Sequence, residues 1–217
     1  MSTKLQLRIH RVKCVDETNG QWVEKFGNDE IFLGGFAVDE KAQTTEIKPF
    51  SVYPHFDDGD VKNYSPPRVF HTFPLSGAGE WPRTFGIGLV LIEKDAGGMA
   101  EAVNKITSFA KGKILEELAK EKKKNTDKKN QVQGFLGLSL GALLLLAIKA
   151  AAPYILDYVI KKIMAAFDDE IFKPEIATID LPSANHNWSG ALDTVEKIAR
   201  FKDHGGIYEV TYDWALS

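Results

Sequence analysis

Between Gly134 and Leu156 the chain reads GFLGLSLGALLLLAIKAAAPYIL, and Lys149 is the one charged residue in it. A stretch of this composition has two physical homes, the interior of its own fold or a lipid bilayer. A helix crosses the hydrocarbon layer of about 30 Å with roughly 20 apolar residues, so the run is long enough. Lys149 lies near one end, where its stem can carry the ammonium toward an interface, and Pro153 is tolerated in lipid.

The flanks bear on the choice. Lys120, Lys122, Lys123, Lys124, Lys128 and Lys129 precede the run with only Glu121 and Asp127 against them. Such a cluster is drawn to an anionic lipid surface by about 1 kcal/mol per basic residue, and it is also the ordinary dress of a solvated helix tip. The candidate lipid-surface contacts are Lys122, Lys123, Lys124, Lys128 and Lys129. A helix covering one side of a sheet normally shows a polar back, whereas here the leucines run all round. The candidate membrane-entering residues are therefore Phe135, Leu136, Leu138, Leu140, Leu143, Leu144, Leu145, Leu146 and Ile148. Gly137 and Gly141, four apart, would let another helix approach closely in lipid, and with it a homo-oligomer form; in a soluble fold they would admit close contact with a sheet. Burial within the fold and membrane entry on a trigger both stay open.

The rest of the chain is that of a globular protein. With 217 residues, 44% of them apolar, 26% charged and a formal net charge of −3, it has the substance for one domain carrying an insertion. Leu5, Leu7 and Ile9 alternate with Gln6, Arg8 and His10, and the alternation extended to Arg11 predicts a half-buried strand. IFLGGFAV (31–38) and FGIGLVLIE (85–93) read as further strands, the second apolar on both faces and therefore central. Pro49 to Trp81, rich in Pro, Gly, Asp and aromatics, predicts short strands joined by turns.

After Gly97-Gly98 the period changes. Val103, Ile106, Ala110, Ile114 and Leu118 recur at helical spacing, predicting a helix to about Lys124, a turn or a helix cap at Asn125-Thr126-Asp127, and a second helix through the apolar run to Phe167. Strand character returns in Glu175 to Leu181 and in IYEVTYDW (207–214), with Tyr208, Val210, Tyr212 and Trp214 on the buried face. The expectation is an α+β fold: an antiparallel β-sandwich of residues 1–96 and 174–217, with a long helical hairpin, 97–173, inserted between its strands. Asn28-Asp29-Glu30-Ile31-Phe32 recurs as Asp168-Asp169-Glu170-Ile171-Phe172, too short to establish a repeat.

Chemistry-bearing motifs are few. Cys14 is the only cysteine, which excludes a disulfide framework and a cysteine zinc cage. The histidines have no ligand spacing. Oxygen ligands for calcium are easier to find, in Asp16 and Glu17, Asp29 and Glu30, and the acidic loop Asp57, Asp58 and Asp60, which loop ends of a sandwich could bring together. Calcium is the one candidate cofactor. Trp22, Trp81, Trp188 and Trp214 would bind sugar if exposed. No phosphate loop and no basic-aromatic surface points to nucleic acid.

Two resemblances add to this. GLSLGALLLLAIKAAAP, with its G-x-S-x-G at 137–141, resembles the nucleophile elbow of the α/β-hydrolase family. That resemblance implies Ser139 as nucleophile with Asp180 or Asp193 and His204 as partners, although it covers under a tenth of the chain and no HGGG-type segment accompanies it. RVKCVDETNGQWVEKFGNDEIFLGGFAVD and FKDHGGIYEVTYDW resemble the two ends of a loose group of uncharacterised bacterial β-sandwich proteins. It implies a sandwich, and a cargo of the toxin or effector kind, made in the bacterial cytoplasm without a Sec-type leader and exported by a secretion or injection apparatus. The leading expectation is a non-enzymatic, membrane-active effector whose apolar helix enters anionic membranes. A structural or binding module, with or without calcium, is the alternative, and a serine esterase the third.

Overall fold

The structure, a computed structural model, describes residues 2–17, 29–75, 80–94, 97–131, 137–167 and 170–217. Phe135, Leu136 and Trp22 lie outside them. Its elements are β1 (Lys4–Asp16), β2 (Asp29–Val38), β3 (Thr44–Phe56), β4 (Val61–Pro74), β5 (Arg83–Glu93), α1 (Met99–Gln131), α2 (Leu140–Tyr158), β6 (Glu170–Ile171), β7 (Glu175–Leu181), β8 (Lys197–Asp203) and β9 (Gly206–Leu216). A short π-helical turn, Val159–Ile163, continues α2. The fold is mixed α+β. One antiparallel sheet has the order β4-β1-β9-β8, and the other has β3-β2-β5-β6, with β7 also on β5.

Two apolar layers follow from the alternation of the strands. Leu5, Leu7 and Ile9 of β1, Leu33 of β2, Phe85, Ile87, Leu89 and Leu91 of β5, and Tyr208, Val210 and Trp214 of β9 fill the layer between the sheets. The other face of the second sheet presents Phe36, Val38, Val90 and Ile92 to the helices. β5 is buried from Arg83 to Ile92, as a strand apolar on both faces requires. On β1 the expected alternation to Arg11 is interrupted. A register shift between Ile9 and Arg11 moves the inward phase to Val12 and Cys14, and Arg11 faces solvent.

Other expectations are corrected. Residues 49–81 are not broken into short strands but lie largely in the long β3 and β4. β8 was hidden in KIARFKD, where only Ala199 and Phe201 point inward. β6 falls inside the stretch expected to be helical, 97–173, and pairs with β5. The turn or cap expected at 125–127 does not occur, because α1 runs unbroken to Gln131. There the Thr126 hydroxyl donates back to the Lys122 carbonyl at 3.1 Å, and the Asn125 side chain accepts from the Leu138 amide at 2.9 Å. Side-chain bonds of this kind let turn-prone residues sit within a helix.

The recurring Glu-Ile-Phe segments flank the same two residues of β5. Ile31 and Phe32 sit opposite Glu93 and Ile92 on one side, and Glu170 and Ile171 sit opposite them on the other. The offset of one residue sends Ile31 into the layer between the sheets and Ile171 into the layer beneath the helices.

Candidate functional site

α2 begins where two glycines are needed. Gly137, at φ 84°, makes a left-handed step that a side chain would strain. Ser139 then caps the helix, its hydroxyl accepting from the Ala142 amide at 3.2 Å. Gly141 lies on the start of β5, so closely that a Cβ there would stand 2.6 Å from the Pro82 carbonyl oxygen. The same turn meets Thr84, whose buried hydroxyl is 2.8 Å from the Gly141 carbonyl and 2.5 Å from Asp180 Oδ1, donating to one of them at a time. Gly141 thus serves the contact between helix and sheet in this structure.

Further along, α2 has one covered and one open side. Leu143, Leu144, Ala147, Ile148, Ala151 and Ile155 are buried against the sheet and α1. Leu138, Leu140, Leu146 and Tyr154 are 46%, 45%, 41% and 52% exposed. α1 runs beside α2 in the opposite direction. Asn125 is bonded to Leu138, Lys113 lies 3.9 Å over the Tyr154 ring, and Phe109 stacks on Tyr158 with ring centroids 4.1 Å apart. Val103, Ile106, Ala110, Ile114 and Leu118 form the buried face of α1, as their spacing predicts.

Beyond Leu118 no residue of α1 up to Asn130 is buried. Lys124 pairs with Glu121 at 2.6 Å, and Lys120 with Glu116 and Glu117 at 2.6 and 2.9 Å. Lys122, Lys123, Lys128 and Lys129 are exposed and form no ion pair among the described residues. Five of the lysines picked out by the sequence therefore share one end of the molecule with Leu138 and Leu140.

The hydrolase residues are not brought together. Asp180 faces Thr84, at the start of β5 where Ser139 lies, while His204 bonds to the Ile171 carbonyl at 3.2 Å. Ile171 pairs with Ile92, eight residues further along β5, or about 26 Å. Asp193 lies on the other sheet, accepting from Arg8 at 2.9 Å. A cavity of about 290 Å³ opens beside Ser139, walled by Pro82, Arg83, Leu140, Gly141 and Glu40. Its Arg83 lies over the Trp81 ring at 4.3 Å and 3.8 Å from Glu40, so the charges in the wall compensate each other. No histidine among the described residues lines it.

Of the proposed calcium ligands, the loops bearing Glu17 and Asp58 meet, and most of the carboxylates have polar partners of their own. Asp57 and Asp60 accept backbone amides of their own turn, and Asp58 accepts the Glu17 amide at 2.8 Å. Glu30 pairs with Lys94 at 2.9 Å. Asp29 is buried and accepts from the Tyr208 hydroxyl. Asp16 ends β1 in register with Ile207. Among the described residues no group of three or more metal-binding side chains converges. Trp214 is buried, and Trp81 and Trp188 are half-buried.

The Thr84 contact with α2 could not be read along the chain, and the cluster on the first sheet's outer face only faintly. There Asp213, almost fully buried, takes Arg8 through both oxygens at 2.9 and 2.5 Å, with His10 at 3.1 Å. The only signal was that Arg8, His10 and Asp213 fall on the polar side of their strands.

Comparison with family models, with curated proteins and with solved structures found no match.

Proposed function

We propose that the protein is a non-enzymatic, membrane-active effector, a β-sandwich that carries its helical hairpin as the membrane-directed part. The observation that carries this is the two-sided apolar character of α2. From Leu140 to Ile163 the helix runs 24 residues with a mean hydropathy of 1.8 over its most apolar 18-residue window, enough to cross a membrane by length and composition, and 39% of that window is buried. Leaving the sheet for water would cost about 1.5–3 kcal/mol for each large side chain such as Leu144 or Ile148. Leaving it for lipid exchanges one apolar surrounding for another, and the open leucines gain cover.

The test is dye release from anionic vesicles. Leu144 is fully buried, so an aspartate there would unfold the protein as readily as block insertion. Leu146→Asp is the cleaner variant: at an exposed helix position it should change stability by about 0.5 kcal/mol or less, yet it puts a charge in the middle of the inserting helix. Release by the wild type that disappears in Leu146→Asp is the expected result, and equal release by both overturns the mechanism.

The buried side of α2 favours a second reading, a binding or structural module in which the helix is a permanent cover. Absence of release under all conditions, with a single cooperative unfolding transition, would select it.

A further inference from the structure

We infer that the bare end of α1 and the first turn of α2 together form a docking surface for an anionic phospholipid bilayer, used while α2 is still seated on the sheet. This rests on the membrane-active reading and adds where, and in which state, contact is made. Three observations carry it. α1 continues past its last buried residue, Leu118, for three further turns that touch little of the fold. On those turns Lys122, Lys123, Lys128 and Lys129 are exposed, with no carboxylate partner among the described residues, while the neighbouring Lys124 is neutralised by Glu121. The bond from the Leu138 amide to Asn125 holds Leu138 and Leu140, each nearly half exposed, against this basic tip.

A bilayer is the occupant this combination fits. Lysine stems reach a phosphate plane while leucines beside them enter the acyl boundary, and neither group must leave its place in the fold to do so. Lys122 and Lys129 are seven residues apart and share a side of α1, with Lys128 on another flank, so the charges surround the tip instead of lining a groove. α2 has no acidic residue in its first turn to oppose them. Glu80 and Lys41, which both line the adjoining cavity, carry opposite charges.

The full-length protein is sedimented with phosphatidylglycerol vesicles and, separately, with phosphatidylcholine vesicles. Two variants are compared with the wild type after their melting temperatures are shown to match it. One carries Lys122→Gln, Lys123→Gln, Lys128→Gln and Lys129→Gln, and the other Leu138→Ser and Leu140→Ser. The expected result is wild-type binding to phosphatidylglycerol that weakens with salt, reduced at least about tenfold in the lysine variant and clearly reduced in the leucine variant. Wild-type binding with undiminished binding by both variants would put the contact elsewhere and overturn the inference while leaving the membrane reading in place. Equal binding to both lipids would overturn the electrostatic basis. No wild-type binding and no dye release would overturn the membrane reading itself.

Discussion

Tyr208 and Cys14 show what burial does to single groups in this fold. The Tyr208 hydroxyl donates to the carboxylate of Asp29, which is 5% exposed, and burial, with that carboxylate beside it, pushes the phenol well above its ordinary value. Tyr208→Phe removes a donor from a buried charge and should lower stability by about 1–3 kcal/mol in urea unfolding. Cys14 is fully buried beside Tyr208, and burial pushes its thiol up to about 12. It should resist iodoacetamide in the folded protein and react once the chain is unfolded, as mass spectrometry would show. Burial of Leu5, Leu7 and Ile9 could be read from the alternation. The partners of Asp29 could not, because its carboxylate looks like any other acid of an N-D-E loop until β9 places Tyr208 against it.

At the scale of elements, the seat of α2 depends on the close approach at Gly141. Its Cβ would meet backbone, the Pro82 carbonyl, and not the yielding end of a side chain. Gly141→Ala should therefore lift the first turn of α2 off β5 and cost about 1–3 kcal/mol. If membrane entry begins with that separation, the variant should also release vesicle contents faster than the wild type, whereas slower release would mean that the seated helix is the active form. The periodicity of α1 was plain in the sequence, which marked Val103, Ile106, Ala110, Ile114 and Leu118 but not Ala102, Thr107 and Glu117, buried beside them. Its end was not, since Asn125 and Thr126 ordinarily stop helices and here are held by bonds to Leu138 and Lys122.

For the whole molecule, pH provides an independent probe. His71, on β4, packs edge-on to Phe73 at 4.6 Å, and burial holds its imidazole below the usual 6.5. The unfolded chain takes up a proton near 6.5 while the folded one resists it. The penalty is thus absent above that pH and grows as pH falls toward the lower folded value. Urea midpoints should decline as pH falls below about 6.5, and His71→Gln should flatten that decline. The sequence alone determined that β strands at both ends of the chain would enclose a helical middle, and that one segment would be too apolar to face water on every side. Alternation and helical spacing are local properties, visible along a single stretch. Only the tertiary structure decided which side of α2 is covered, that Gly141 meets a strand, and that four lysines with no ion pair among the described residues stand beside two open leucines. Those facts depend on which distant residues, Pro82, Thr84 and Asn125 among them, the fold brings to the same place.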